Sequence, residues 1–131
     1  MNERLKVHQK AYFYLKKIIE FSSSPDIMPD FSSSVSDFWN NNCLYMTADA
    51  RKTFWDAYLS AMSHCVLIEE QSKINEDDIQ RKKEIKEELK KESENLTLAA
   101  KAAGEAIISG VELPLINEEF KNQESGIRNQ E

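Results

Sequence analysis

Apolar residues recur every three or four positions along much of this chain, which is the spacing of one face of an α-helix. The first run of this kind predicts a helix over residues 3–21. Its apolar face comprises Leu5, His8, Ala11, Tyr12, Leu15, Ile18 and Ile19. Most lysines of the segment fall outside that face, so the predicted helix is amphipathic and needs other elements to cover it.

A second strong run begins after Thr47, which is a good N-cap residue. Asp49 follows in the first turn, where the helix dipole favours a carboxylate. The apolar stripe of this helix comprises Phe54, Trp55, Tyr58, Ala61, Met62 and Cys65. The pattern predicts a helix that lines the interior of a bundle and ends near residues 67–70.

The segment between these two helices contains FSSSPDIMPDFSSS, residues 21–34. Serines, prolines and aspartates in such density are typical of a loop, so no helix is predicted to cross it. A short helix is predicted afterwards, over residues 34–41, with Ser33 or Ser34 as its N-cap.

The motif FWNNNCLYM, residues 38–46, follows that short helix. Asparagine tolerates the left-handed conformation that ends many helices, so the three asparagines predict a C-cap and a turn. A functional alternative is a ligand pocket, in which the amides bind a ligand and Trp39 and Tyr45 stack on it. We favour the structural interpretation, because caps and aromatic residues are common at helix ends.

The last predicted helix begins near Asn75 and continues to Ser109, before Gly110. Such a helix is about 52 Å long, whereas a compact domain of this size is about 36 Å across. The helix is therefore expected to overhang the domain or to break near residues 93–95. Between residues 80 and 94 only two residues are apolar, so this half is predicted to be the solvated overhang and the later half to pack.

The domain organisation predicted from these elements is a single helical domain over residues 1–110 and a C-terminal tail over residues 111–131. Pro114 is expected to prevent a helix in the tail. The tail has an apolar start and is expected to be loose beyond about residue 121.

The composition supports an all-α fold. The chain has 131 residues, of which 31% are charged and 40% hydrophobic, and contains only three glycines and three prolines. This balance is typical of a globular protein with few turns, and we predict a small bundle of about four helices. Eleven of the twelve aromatic residues lie at or before Tyr58, so the first half of the chain is expected to hold most of the core.

Charge and hydropathy argue against several classes of function. A net charge of −6 argues against direct binding to nucleic acid. No run of about 18 apolar residues is present, and the N-terminal residues lack the apolar core of a signal peptide, so no membrane association is predicted. Two cysteines without a secretory signal are typical of reduced thiols, which predicts a cytoplasmic protein.

The search for catalytic and metal-binding motifs gives no site. One set could supply a two-Cys, two-His zinc site: His8, Cys43, His64 and Cys65. However, no CxxC or HxxxH pair is present, and neighbouring residues on a helix point about 100° apart. Arg4 and His8 are closer together than the pair in the HEPN ribonuclease motif, and no phosphate-binding glycine loop occurs. We therefore predict no enzyme activity, cofactor, metal or small-molecule substrate.

The segment FWNNNCLYMTADARKTFWDAY resembles one found in uncharacterised bacterial helical proteins. In that group an aromatic pair is followed by asparagine, Cys-Leu-Tyr-Leu, a short acidic turn, and then arginine and aromatics. The upstream HQKAYFYLKKII is similar to the preceding helix of the same group, so the resemblance covers about residues 4–64, with Met46 in place of leucine. It implies a bacterial or phage origin and a helical fold, and assigns no chemistry.

These observations predict a non-catalytic protein-interaction module, an accessory or regulatory subunit of a bacterial or phage-encoded system. Its partner is expected to be another protein or a second copy of the chain. The residues predicted to contact it lie on the charged overhang and in the aromatic motif: Lys83, Glu84, Glu87, Lys91, Trp39 and Tyr45. Charged runs of this kind are more often a solvated face, with paired charges four residues apart.

The alternative function is an acidic inhibitor or immunity protein that blocks a nucleic-acid enzyme by presenting carboxylates in place of phosphates. The carboxylates that suggest it are Glu69, Glu70, Glu76, Asp77 and Asp78. Salt distinguishes the two functions, because an electrostatic mimic loses its partner steeply as ionic strength rises and an apolar contact does not.

Overall fold

The computed structural model describes residues 2–126, with side chains as far as Val111. Its helices are α1 (Glu3–Phe21), α2 (Met28–Asn42), α3 (Ala48–Lys73) and α4 (Ile79–Gly126), with a 3-10 turn at Cys43–Tyr45. No strand is present within this part of the chain. The predicted all-α fold with four helices and a long last helix is confirmed.

Two histidine hydrogen bonds define how α1 and α3 are arranged. The Thr47 backbone N–H, just before α3, donates to His8 Nε2 of α1 at 3.2 Å. Near the other end of α1, His64 Nδ1 of α3 donates to the Ser22 carbonyl at 2.9 Å. Because the two early positions meet and the two late positions meet, α1 and α3 run parallel.

The other two helices run antiparallel to this pair. In α2, Phe38 lies 4.8 Å from Tyr14, and Phe31 lies 5.0 Å from Phe21, measured between ring centroids. In α4, Gly110 faces His8 of α1, and Gly104 faces Leu15 of α1. The four helices therefore alternate up and down, as in bundles with short connections.

The ends of α1 and the start of α3 agree with the sequence. The helix α1 spans the predicted range, and Asn2 caps it by accepting from the Arg4 N–H at 2.8 Å. The Thr47 hydroxyl accepts from the Ala50 N–H at 3.3 Å, as expected of an N-cap. The end of α3 was predicted too early: it continues to Lys73, because its last turns pack beside the start of α4.

The predicted start of α2 is wrong. The helix begins at Met28 and not near Ser34, with Ile27 as its N-cap and no side-chain hydrogen bond there. Pro29 occupies the first turn, where the N–H that proline lacks would have no partner in the helix. Residues 22–27 lie between the helices, as predicted, whereas the rest of the serine- and proline-containing segment is helical, with Met28 buried in the core.

The predicted left-handed cap at the three asparagines is also wrong. The C-cap of α2 is Cys43, which keeps right-handed helical angles (φ −60°, ψ −30°), and the chain tightens into the 3-10 turn. Asn42 closes the end differently, because its side-chain amide donates to the Phe38 carbonyl at 2.9 Å. Between this end and Thr47, Met46 is buried and Leu44 is exposed.

The helix α4 is continuous where a break was considered. It begins at Ile79 and passes through residues 93–95 without interruption. It continues past Gly110 and Pro114 and ends at Gly126. The division into a domain of residues 1–110 and a tail of residues 111–131 stays a prediction, because side chains 112–131 lie outside the described part.

Large rings fill the space between α1, α2 and α3. This aromatic seam comprises Tyr14, Phe21, Phe31, Phe38, Trp39, Phe54, Trp55 and Tyr58, which form a chain of ring contacts. Phe54 is fully buried at its centre, and Tyr58 hydrogen-bonds to the Ser32 hydroxyl of α2. Most buried hydrophobic residues of the described part lie at or before Cys65, so the prediction that the first half of the chain holds most of the core is confirmed.

Small residues bring α4 close to α1. We call this contact, centred on Gly104 and Gly110, the glycine seam. A Cβ on Gly110 would overlap the His8 ring, whereas a Cβ on Gly104 would meet only Leu15 Cδ2, at 4.0 Å. Gly110 is buried inside the helix and does not end it. The His8 ring occupies the space where a side chain at this position would be.

Beyond the end of α1, the last turns of α3 and the first turns of α4 continue as a two-helix arm, residues 66–93. Arg81 binds this arm together by donating to Glu70 of α3 and to Glu84 and Glu88 of α4. Ile85 is fully buried, whereas most other side chains of α4 in the arm are exposed. The arm corresponds to the predicted overhang, although two helices form it and not one.

Candidate docking face on the first helix

Trp39 and Tyr45, predicted as candidate ligand contacts, lie in different environments. Trp39 is half-buried and stacks on Phe54, with ring centroids 6.0 Å apart and an interplanar angle of 10°. It also lies 4.8 Å from Trp55, so its contacts are those of a core residue. Tyr45 is exposed in the 3-10 turn. The contacts of Trp39 favour a packing role over a ligand contact for this residue.

The charged residues predicted to contact a partner all lie on the arm. Lys83, Glu84, Glu87 and Lys91 are exposed. Glu84 accepts from Gln80 Nε2 at 3.2 Å and from Arg81 Nη1 at 3.3 Å, so part of its hydrogen-bonding capacity is used within the arm. A role for these four residues in binding a partner stays a prediction.

Both nitrogens of His8 are occupied by backbone groups. Nε2 accepts from the Thr47 N–H, which requires Nδ1 to carry the proton and to donate to the Arg4 carbonyl at 2.7 Å. The ring is fully buried, so it serves as a structural link between α1 and α3. No group of three or more His, Cys, Asp or Glu side chains that could hold a metal ion is found among the described residues.

The two cysteines differ in surroundings. Cys65 is buried, and burial raises the pKa of its thiol, with the nearby charge of Glu69 acting in the same direction. A thiol kept protonated is a weak nucleophile, so Cys65 behaves as a small core residue. Cys43 is half-buried at the end of α2.

Apolar side chains remain exposed along α1, contrary to the pattern of the sequence. Tyr12 and Ile19 were predicted to lie on the buried face, but they are 38% and 40% exposed. Phe13, on the polar side of the helix, is 55% exposed. Lys16 Nζ lies 5.6 Å above the Tyr12 ring, and Lys17 Nζ lies 5.9 Å above the Phe13 ring. This helix therefore presents aromatic rings paired with cations to the solvent.

An apolar groove of about 390 Å³ runs between α1 and α4 beside Tyr12. Its lining residues are His8, Gln9, Tyr12, Ile107, Ile108 and Val111. Ile108 is 48% exposed at its rim. Because both His8 nitrogens are already bonded, Gln9 and the Tyr12 hydroxyl are the polar side-chain groups left to line it. Such a groove fits an apolar side chain better than a polar ligand.

Charge is unevenly distributed between α1 and the rest of the chain. Residues 1–21 contain five cationic and two carboxylate side chains, a net charge of +3. The remaining residues contain 12 cationic and 21 carboxylate side chains, so they carry −9 and the whole chain carries −6. Lys10 and Lys16 have no ion pair with any described residue, while Lys17 lies 3.4 Å from Glu20.

Phe13 lies on the side of α1 that faces α2, beside Ser34 and Asp37. We call the surface around the groove the docking face; it comprises Tyr12, Lys16 and Ile19 of α1 with Ile107, Ile108 and Val111 of α4. Sequence reasoning missed it, because three- and four-residue spacing assigns Tyr12 and Ile19 to the core without showing how much of α1 its neighbours cover. The run of three aromatic residues followed one residue later by two lysines in AYFYLKK was the available signal.

Within the described part of the chain, no helix combines the length and the hydropathy required to cross a membrane. No protein-family model, curated protein or solved structure matches this chain. The docking face is accordingly interpreted from its own geometry and chemistry.

Proposed function

We propose that the protein is a non-catalytic interaction module, an accessory or regulatory subunit of a bacterial or phage-encoded system, and that it binds another protein through the docking face. The observation that supports this proposal is the exposure of Tyr12, Ile19 and Ile108 along an apolar groove. Contiguous exposed apolar groups with a charged rim are typical of protein-binding surfaces.

The docking face also contains an aromatic ring of the kind found in binding hot spots. Aromatic side chains dominate such sites because they bury large areas with little loss of conformational freedom. The groove between α1 and α4 would receive an apolar side chain, and the ring of Tyr12 would cover it. Lys16, whose Nζ lies over that ring, would then form part of the rim.

The arm is a weaker candidate for the main contact. Its Arg81 pairs with carboxylates of both arm helices, and Lys82 lies 2.7 Å from Glu76, so many of its charges are satisfied internally. Exposed ion pairs of this kind contribute little to binding or stability. We therefore assign the arm a secondary role, in orienting the partner.

The acidic-inhibitor function is placed second. Three of the five carboxylates that suggest it have cationic partners within the arm: Glu69 with Lys73 at 3.4 Å, Glu76 with Lys82 at 2.7 Å, and Glu70 with Arg81. A phosphate mimic needs unpaired negative charge, and these pairs reduce it. The net charge of −6 is the observation that still favours it.

The proposal is tested by affinity capture with matched surface variants. Tagged wild-type protein, Ile108→Ser and Tyr12→Ser are compared with Leu98→Ser, which alters an exposed apolar residue of α4 that does not line the groove. Capture is performed from nuclease-treated lysate and washed at low and then high salt. Thermal unfolding followed by circular dichroism verifies that all variants remain folded.

One protein that is retained by wild type and Leu98→Ser, and lost from Ile108→Ser and Tyr12→Ser, is the expected result. Retention by every variant would place the contact elsewhere and refute the role of the docking face. A partner that is insensitive to these substitutions, lost at high salt and identified as a nucleic-acid enzyme would establish the acidic inhibitor instead.

A further inference from the structure

We propose that a second copy of this chain covers an apolar stripe on the outside of α3, through an antiparallel pairing of the two α3 helices. We call this surface the α3 stripe; it comprises Trp55, Leu59, Met62 and Val66. It contains no residue of the docking face, so the inference stands apart from the proposed function. It is supported by the spacing of the stripe, by its exposure and by the charges at its two ends.

The spacing of the α3 stripe is that of a coiled-coil seam. Its four residues are separated by four, three and four positions, which is the alternation of the a and d positions of a heptad. They lie within one uninterrupted helix, because α3 runs from Ala48 to Lys73. Such a seam is typical of a helix surface that packs along a second helix.

The middle and the end of the α3 stripe point away from the interior of the bundle. Leu59 is 49% exposed and Val66 is 61% exposed. Ala57 and His64, each two positions earlier, are buried. Because positions two apart point about 200° apart on a helix, the exposed pair lies on the outer side of α3.

The other two residues of the α3 stripe form its edge towards α2. Trp55 is half-buried, with its ring centroid 4.8 Å from that of Trp39 in α2. Met62 lies seven positions later, on the same side of α3, and is also half-buried. A helix laid along the exposed pair would therefore touch these two side chains as well and extend their burial.

The charges at the two ends of the α3 stripe favour a second copy as its occupant. Lys52 lies three positions before Trp55, and Glu69 lies three positions after Val66, so both continue the seam. In an antiparallel pairing about a twofold axis between positions 60 and 61, Lys52 of each copy lies opposite Glu69 of the other. A parallel pairing would place like charges opposite each other. The complementary ends therefore select the antiparallel, twofold arrangement.

Both charged side chains are available for such a contact. Lys52 and Glu69 are exposed, and each has an ion pair within α3, with Asp56 at 3.3 Å and with Lys73 at 3.4 Å. Exposed pairs of this kind contribute little free energy, so they can be exchanged for contacts across the axis. The seam from Lys52 to Glu69 is about 26 Å long, a short contact whose occupancy should depend on protein concentration.

The same twofold axis fixes the register of the apolar residues. It places Leu59 of one copy opposite Met62 of the other, and Trp55 opposite Val66. Displacing one helix by a heptad in either direction would place Lys52 or Glu69 against an apolar residue. Only the register centred between positions 60 and 61 therefore joins apolar residues to each other and opposite charges at both ends.

The first test measures self-association of the full chain by sedimentation velocity over a range of protein concentrations. Wild type should form a dimer as the concentration rises. Leu59→Glu and Val66→Glu should each weaken the dimer at least about tenfold, because twofold symmetry would bury the new carboxylate twice. The matched control, Leu98→Glu, alters an exposed apolar residue of α4 and should leave the association unchanged. Circular dichroism verifies that all variants remain folded.

The second test reverses the charges at the ends of the α3 stripe. Lys52→Glu and Glu69→Lys should each weaken the homodimer at least about tenfold, because each places like charges opposite each other at both ends. Carrying both reversals in one chain should restore the dimer, and mixing the two single variants should give a heterodimer. The control, Lys101→Glu, reverses an exposed lysine of α4 and should leave the association unchanged.

Several results would overturn this inference. They are a wild type that stays monomeric at every concentration, a dimer that survives Leu59→Glu and Val66→Glu, and charge reversals whose effect is not recovered by the double variant or by mixing. A different protein that binds the monomer and is lost with Leu59→Glu would show that the α3 stripe serves another partner, which also refutes the second copy.

Discussion

The two sides of α1 are packed by opposite means. Towards α2 and α3, the aromatic seam fills the interior with large rings centred on Phe54. Towards α4, the glycine seam consists of residues that have no side chain, so the His8 ring lies directly against Gly110. The first contact is sensitive to the loss of atoms and the second to their addition. One helix therefore shows both ways in which dense packing can fail.

The largest expected effect is a deletion in the aromatic seam. Phe54 is fully buried and contacts Phe38 and Trp39, so Phe54→Ala should lower the free energy of unfolding by about 3–5 kcal/mol. Urea denaturation followed by far-ultraviolet circular dichroism measures this change. Phe13→Ala is the control, because Phe13 is exposed, and should cost less than about 1 kcal/mol. Similar losses for the two variants would mean that Phe54 is not central to the core.

The next effect comes from adding a methyl group to the glycine seam. Gly110→Ala should destabilise the fold by about 1–3 kcal/mol, because its Cβ would overlap a His8 ring that two hydrogen bonds hold in place. Gly104→Ala is the matched control. Its Cβ would meet Leu15 at an ordinary distance, and alanine is a better helix former by about 1 kcal/mol, so this variant should be neutral or more stable.

A double-mutant cycle determines whether His8 causes the penalty at Gly110. In a His8→Ala background the imidazole is absent, so Gly110→Ala should cost less there than in the wild type. Thermal or urea denaturation of the four proteins gives the coupling energy. An unchanged penalty would attribute the effect to another neighbour.

A smaller effect should follow loss of a single polar contact across the aromatic seam. Tyr58 is buried and hydrogen-bonds to Ser32, so Tyr58→Phe keeps the ring and leaves the Ser32 hydroxyl without this partner. The expected loss is about 1 kcal/mol. The same loss should be seen with Ser32→Ala, and the double variant should not be additive, as urea denaturation can verify.

The smallest effect is expected outside both seams. Lys83, Glu87 and Lys91 lie on the exposed side of the arm, so alanine at any of them should change the free energy of unfolding by less than about 0.5 kcal/mol. Chemical denaturation measured in parallel with Phe54→Ala provides the comparison. A large loss at any of these positions would show that the arm packs against more than its own two helices.

Helical periodicity and capping chemistry were sufficient to locate most elements. The apolar spacing identified α1 over its full length, and Thr47 marked the start of α3. Local rules failed where tertiary contacts decided the outcome. Pro29 lies in the first turn of α2, which buried Met28 anchors in the core. Gly110 lies inside α4, where the His8 ring occupies the space that a side chain would need.

The candidate site was harder to predict from the sequence than the fold was. A stripe of apolar residues indicates which face of α1 meets its neighbours, but how far those neighbours reach around it depends on the position of α4. Tyr12 and Ile19 lie at the limit of that reach and stay partly exposed. Trp39 shows the opposite case, since a motif that suggested a binding pocket proved to be packed between Phe54 and Trp55.

The His8 link has a consequence for how the protein opens. The Thr47 amide hydrogen is bonded to a ring nitrogen that belongs to a helix 39 positions earlier in the chain, and that ring is closed off by Gly110 of α4. The bond breaks only when the Thr47 backbone moves away from the His8 ring of α1. The Thr47 amide hydrogen should therefore exchange with deuterium more slowly than an N-cap amide that faces solvent, so it reports the contact between α1 and the start of α3.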